Sequence, residues 1–366
     1  MSIRGRAVPP LAVVRCDASA DLGGGHLARC SALAAALKRR GWRVSLAIHA
    51  DSNAASHSAG ANFQHIIRLE AGDEAAAIGA ALGERAELVV VDHYHRGRSF
   101  QTACRAWADR VLVLSDVPDR HHDADILLDD AFGRAAEDYR RLVSPACQVL
   151  TGSRFALLDP AFAAARPAAI ARRGEHRPVS RLLVAMGAAD IDNVTAMVLD
   201  AVAVSRLSCA VDVVLGDDAP HKAEVAERLA ALSQPARLHV GVGVRSMVDL
   251  TTDADLAVGA GGTMSWERCC LGLPTILITT GANQEVHAAN LAAAGAVWLS
   301  GSHADVSAGS IRDDLLAIAA DAAARRRLSA SAAAVCDGRG ADRVSAVIDE
   351  TVRGIAPHPQ FCSGDA

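Results

Sequence analysis

Short apolar runs alternate with longer Ala-rich stretches along nearly the whole chain. In the first half the runs are Leu11–Arg15, Arg43–Ile48, His65–Leu69, Leu88–Asp92, Arg110–Ser115 and Ile126–Leu128. In the second half they are Leu182–Met186, Val211–Leu215, Leu238–Val242, Leu256–Gly259, Thr275–Thr279 and Val297–Leu299. Continuous rather than alternating hydrophobicity suits strands covered on both faces, as in parallel sheets, and the intervening stretches carry helical spacing. The pattern therefore predicts two successive, doubly wound, Rossmann-like α/β domains facing a cleft, with ligands met at the carboxyl ends of the strands. Residues 1–165 form the first domain and 182–338 the second. Residues 166–181 lie in a stretch rich in arginine, with two prolines and a glycine, whose composition marks a linker. Residues 339–366 carry a helical pattern over Ala341–Val352, placed to pack back across the domains, and then a tail expected to be disordered.

A chain of 366 residues is longer than one core usually supports, which agrees with two domains. Aromatic residues are only 3% of the chain, so the cores are built from Ala, Val and Leu. The net charge of −5 without a basic stripe argues against nucleic acid as a partner. No window approaches the roughly eighteen apolar residues of a membrane span, and the start is too short to be a signal-peptide core. Nine irregularly spaced cysteines without a CxxC pair read as reduced thiols of a cytoplasmic protein, and the adjacent Cys269 and Cys270 as residues of a packed helix.

Candidate chemistry sits where strands turn into helices. After the first run comes LGGGHLARC, with Gly23, Gly24, Gly25 and His26 leading into a helix that reaches about Arg40. Glycine permits close backbone approach to a ligand, and a helix start disfavours added positive charge, so an imidazole there is suited to accept a proton. The plainer alternative is an ordinary turn capped by His26. No third glycine completes the dinucleotide fingerprint GxGxxG, which argues against a nicotinamide enzyme. In GAGGTMSWERCCLGLP, Gly261, Gly262 and Thr263 place small residues and backbone N–H groups where a diphosphate fits, at the start of a helix expected to run to Leu271. Glu267, one turn on, suits a ribose diol or, more simply, the positive end of the helix. Asn283, Gln284 and Asn290 offer neutral amides for sugar or phosphate oxygens, with helix capping by Asn283 as the alternative. Gly187 to Asn193 follows a strand in the same way and would face the cleft. The clusters DHYHRGR and DRHHDAD resemble metal ligands in composition but lack ligand spacing, so no metal site is expected; Asp92 and Tyr94 end a strand and fit a loop at the cleft.

GGGHLARC, VVDHY, HDADILLDD, GSRFALLDPAF, AGGTMSWERCCLGLP and the NQ to AANLAAAGA block, in this order, resemble the UDP-2,4-diacetamido-2,4,6-trideoxy-β-L-altropyranose hydrolases of pseudaminic acid synthesis, over about Arg15 to Gly301. The resemblance implies a GT-B-like fold and metal-independent, inverting cleavage of the sugar C1–O bond, giving UDP and the free sugar for a nonulosonic acid used in surface glycan or flagellin modification, with no cofactor. It implies that His26 activates the attacking water and that Tyr94 lies near the sugar or that water. Gly24 and Gly25 shape the catalytic loop, Gly261, Gly262 and Thr263 cradle the diphosphate, and Glu267 holds the ribose. Gln284 with Asn283 contacts nucleotide or sugar; Gly187, Asn193 and Asn290 complete the expected substrate contacts. Ala188, Ile191 and Asp159 stand where that family's pattern has glycine, proline and arginine, which leaves the sugar isomer open. A glycosyltransferase passing the sugar to an alcohol and a non-catalytic nucleotide-sugar binder are the alternatives.

Overall fold

A computed structural model describes residues 8–17, 24–52, 61–175 and 177–353. The first sheet contains β1 (Leu11–Cys16), β2 (Arg43–His49), β3 (His65–Leu69), β4 (Ala86–Asp92), β5 (Ala108–Leu114), β6 (Ile126–Asp129) and β7 (Gln148–Thr151), all parallel, in the order β3-β2-β1-β4-β5-β6-β7. The second contains β8 (Arg181–Ala185), β9 (Ala210–Leu215), β10 (Ala236–Val240), β11 (Leu256–Ala260), β12 (Thr275–Thr279) and β13 (Trp298–Ser302), again parallel, in the order β10-β9-β8-β11-β12-β13. All the predicted runs are strands. The expectation passed over β7, a four-residue edge strand, QVLT, that is only half buried and so has no continuous apolar run.

Helices cover both faces of each sheet. On the first, α1 (Gly25–Arg39) packs against one side, while α2 (Glu74–Leu82) and α3 (Arg98–Cys104) cover the other. On the second, α5 (Val194–Ser205), α6 (Lys222–Ala230) and α10 (Ala308–Ala320) form one layer. The opposite layer holds α4 (Pro160–Gly174), α7 (Val244–Asp253), α8 (Met264–Cys270), α9 (Glu285–Ala293) and α11 (Ala322–Val335). Cys269 and Cys270 lie buried on α8, and every described cysteine is free.

The stretch read as a linker is mostly helix. Asp159 caps α4 by accepting the Ala161 N–H at 2.9 Å, Pro160 occupies the first turn, and the chain stays helical through Pro167 to Gly174. Its arginines are not linker solvation. Arg166 donates to the carbonyls of Cys270, Cys336 and Ala333, and Arg173 to those of Thr251 and Thr252. They satisfy carbonyls at the ends of α8, α11 and α7, where cations are favoured, and so staple α4 to the second sheet.

After α11 the chain returns to the first domain as α12 (Gly340–Arg353). Ala341, Val344, Val347 and Ile348 join the core beneath α1. Asp349 accepts from Trp42 Nε1 at 2.7 Å and Arg40 Nη1 at 2.9 Å. The tail beyond Arg353 lies outside the described residues. Among those described, no helix is long and apolar enough to cross a membrane.

Ile348 is fully buried between α12 and the first domain. Ile348→Ala is expected to lower unfolding free energy by about 2–5 kcal/mol, the range for a truncated core aliphatic, read from the urea midpoint.

Candidate functional site

The order of each sheet reverses between two strands whose carboxyl ends open a crevice, β1 and β4 in the first and β8 and β11 in the second. The two crevices face each other. Between them lies a cleft of about 620 Å³ whose walls include Gly24, Gly25, His26, Tyr94, Gly187 and Glu267. Closeness is built into the walls: a Cβ on Gly25 would lie 2.9 Å from Thr263 Oγ1 of the second domain. The glycine thus lets one domain's loop meet the other's. Leu22 and Gly23 lie outside the described residues.

His26 does not cap its helix. The residue at the N-cap of α1 is Gly24, with no side-chain cap, and the imidazole turns instead to the end of β4. There Asp92, 1% exposed, places Oδ1 2.6 Å from His26 Nδ1. A carboxylate only accepts, so this short contact puts the proton on Nδ1 and the lone pair on Nε2, prevailing over the longer 3.2 Å approach of Arg29 Nη2 to Nδ1. Arg29, one turn further along α1, grips Asp92 with both Nε (2.7 Å) and Nη2 (2.6 Å), and reaches Asp116 through Nη1 at 2.7 Å. Burial alone would raise the Asp92 carboxyl; Arg29 and His26 reverse this and hold it well below the usual carboxylate range. Asp116 is likewise lowered against burial, chiefly by Arg29.

Tyr94 completes this wall. Its hydroxyl donates to Asp116 Oδ2 at 3.0 Å, and its ring meets His26 edge-on with centroids 5.0 Å apart. Burial and then Asp116 push the phenol up, so it stays a donor at neutral pH. From the second domain, Asn283 Nδ2 approaches Tyr94 Oη at 3.4 Å.

Across the cleft, Glu267 has a buried Oε2 with no hydrogen-bond partner, and burial pushes its carboxyl up to about 7 against the pull of Arg268. Gly261, Gly262 and Thr263 line the cleft beside it. Gln284 also lines the cleft, but its Oε1 accepts the N–H groups of Gly261 and Thr280, each at 3.1 Å, so it braces the glycine loop. A third stretch of wall, Val214 to Asp217 and Gly241 to Val244 with Met247, is a largely apolar surface at the ends of β9 and β10.

Two expected contacts are not brought to the cleft. Asn193 stands at the start of α5 and donates to Glu224 Oε2 at 2.8 Å. Asn290 donates to the Phe132 carbonyl at 3.0 Å and ties α9 to the first domain. Asp159 is occupied as the α4 cap. Asn290 is turned away by its position within α9, and Asn193, in a left-handed conformation just before α5, by its bond to Glu224. In DRHHDAD, Gln101 faces His122 at 3.1 Å and Arg105 holds Asp123 and Asp125; in DHYHRGR, His93 meets Asp17 at 2.9 Å, while Asp92 and Tyr94 belong to the site. Among the described residues, no group of three metal-ligating side chains occurs.

Sequence reasoning missed Arg29, Asp116, Asp130 and His287, all of which line the cleft. Arg29 was the most readable, three residues after His26 and hence on the same helix face. Asp130 is pushed up to about 7 by burial, opposed by Arg29. His287 meets the Trp266 ring edge-on, with centroids 4.5 Å apart, and is pushed down to about 4 by burial, with Arg268 adding to the shift.

Removing Asp92 leaves Arg29 a buried cation with one carboxylate fewer. Asp92→Ala is expected to cost about 3–5 kcal/mol at pH 7, as for one partner of a buried pair. Because the Asp92 carboxyl is depressed, its contribution is present above the ordinary carboxylate pKa and is lost as pH falls. The gap to wild type in urea midpoint should therefore close on acidification.

No known protein-family profile matches the chain. It is 23% identical over 340 residues to the spore coat polysaccharide biosynthesis protein SpsG of Bacillus subtilis (strain 168), covering 91% of this chain and 96% of that protein. Its fold is similar to that of Acinetobacter baumannii MurG, with a TM-score of 0.66 and 13% identity over 94% of this chain and 100% of that one. It is similarly close to S. aureus MnaA, solved with UDP, with a TM-score of 0.66 and 12% identity over 96% and 99% of the two chains. The chain has the two-domain, GT-B-like fold of these structures.

Proposed function

We propose that the protein is an enzyme acting on a UDP-linked sugar bound across the cleft, and that it transfers the sugar from UDP to water with inversion. The single observation that carries this reading is the pairing of His26 with Asp92 on one wall, opposite the unpartnered Oε2 of Glu267 on the other. The likeness to SpsG, and to a GT-B-like structure solved with UDP, supports the nucleotide-sugar assignment. The sequence resemblance supplies the finer one, a diacetamido trideoxy-altrose as the sugar and UDP with the free hexose as products.

In this reading the uracil lies against the apolar wall of Val214, Val242 and Met247, and the ribose diol donates to Glu267. Gly262 and Thr263 meet the diphosphate with backbone N–H groups, while Gln284 fixes the loop that presents them. The sugar then projects toward His26. Nε2 takes a proton from water as its oxygen bonds to C1 and the C1–O bond to UDP breaks. The positive imidazole that forms is stabilised by ionised Asp92, which also fixes the ring's orientation. UDP is a good leaving group, so the difficult part is positioning and deprotonating the water. A transferase would use the same base on an alcohol.

Two experiments check this reading. The purified protein is incubated with the UDP-diacetamido sugar, EDTA and no acceptor, and UDP release is followed. Hydrolysis is expected, and His26→Ala should lower kcat by about 10²–10⁴-fold while UDP still binds. Release only with an added alcohol indicates a transferase, and binding without turnover indicates a non-catalytic binder. The second experiment uses the Glu267 carboxyl, raised to about 7. The stabilising neutral form is complete below the ordinary glutamate pKa and is lost as pH rises through about 7. Diol hydroxyls favour the ionised form, so uridine binding near pH 7 should expel about half a proton or less. Calorimetry in buffers of different ionisation enthalpy measures this, and Glu267→Gln should abolish it.

A further inference from the structure

Among the described residues lining the cleft, the only Arg or Lys is Arg29, already bonded to Asp92 and Asp116, whereas Asp116, Asp130, Asp217 and Glu267 are acidic. A diphosphate entering such a cleft needs positive charge from behind the wall. On the second domain, one buried cation has, among the described residues, neither a carboxylate nor partners for two of its nitrogens. Arg268, 2% exposed on α8, donates through Nη2 to the Ala260 carbonyl at 2.5 Å and to Ser265 Oγ at 3.2 Å, both neutral. Its Nε and Nη1 have no hydrogen-bond partner, and among the described residues no carboxylate forms an ion pair with it. The other buried arginines differ. Arg15 meets Asp17 and Glu74, Arg29 meets two aspartates, and Arg325 spreads over three carbonyls. An unpaired buried cation is costly, so its place calls for a counter-charge.

We infer that Arg268 is the fixed positive charge beneath the diphosphate loop, and that its counter-charge arrives with the diphosphate of the nucleotide. The assignment rests on the nucleotide-sugar reading above and concerns a positioning residue that acts through the loop. The seat is specific. A Cβ on Gly259, inside β11, would lie 2.5 Å from Arg268 Nη1, so the strand uses its one glycine where the guanidinium lies against it. The Ala260–Gly261 peptide is held from both sides, its carbonyl by Arg268 and its N–H by Gln284 Oε1. That peptide opens the loop of Gly261, Gly262 and Thr263. Burial lowers the guanidinium to about 10, and it is still charged at neutral pH. The fixed cation thus favours a diphosphate over an uncharged nucleoside and stabilises the charge that grows on departing UDP.

The test compares UDP with uridine, since only UDP carries the diphosphate. Their dissociation constants are measured by calorimetry for wild type, Arg268→Met and Arg268→Lys, each with its Tm. Arg268→Met is expected to weaken UDP at least tenfold while leaving uridine within about twofold, and Arg268→Lys to restore most of the UDP preference. An equal loss of both ligands, or an unchanged UDP-to-uridine ratio in folded Arg268→Met, overturns the inference. Should Arg268→Met not fold, Gly259→Ala, which displaces the guanidinium, must show the same selective loss of UDP. Wild-type protein that binds uridine and UDP alike also overturns it. Wild type that binds neither refutes the nucleotide-sugar reading itself, and this assignment with it.

Discussion

A carboxylate removed from water at the end of a parallel strand cannot exist without compensation, and Asp92 is such a group. Its two oxygens take contacts from Arg29, His26 and Cys30, all on the first turns of α1. That one buried charge sets how α1 begins relative to β4, which ring nitrogen of His26 is protonated, and where Arg29 points. Arg29 then fixes Asp116, and Asp116 fixes the Tyr94 hydroxyl. His26 is therefore oriented by electrostatics several residues deep.

The second wall follows a different principle. Glu267 and Arg268 are neighbours in sequence, and among the described residues neither forms an ion pair. On the first wall Arg29 is paired with Asp92 and Asp116, whereas on the second Glu267 Oε2 and two nitrogens of Arg268 have no partner among the described residues. This asymmetry supports the proposed reading, in which chemistry falls to one domain and nucleotide recognition to the other. The domains meet through Gly25 against Thr263, Asn283 against Tyr94, and Phe132 against Asn290 and His287. α12 makes the arrangement covalently reciprocal, since the chain leaves the second domain to finish the first domain's core.

Much of the scaffold was legible because parallel strands must be apolar on both faces. Runs such as Leu88–Asp92 and Thr275–Thr279 admit little else. β7 escaped because an edge strand four residues long needs only one buried side chain. Residues 166–174 were read as linker because arginine and proline suggest a break by composition, whereas here Pro167 lies within α4 and Arg166 and Arg173 find carbonyls on other helices. The glycine loops and Glu267 were legible from their position after strands. Asn193 and Asn290 follow strands too, yet Asn193 is taken up by Glu224 and Asn290, inside α9, by the Phe132 carbonyl.

By itself, the sequence determined the order of strands and helices, the two-domain architecture and the loops at which a ligand can be met. These depend on local periodicity and on backbone freedom. Only the tertiary structure decided that His26 faces Asp92 sixty-six residues away, that Arg29 is spent on carboxylates, and that Arg268 is not. Such pairings follow from which charges are buried together once two sheets have twisted and faced each other. That is a property of desolvation in three dimensions, and no spacing along the chain encodes it.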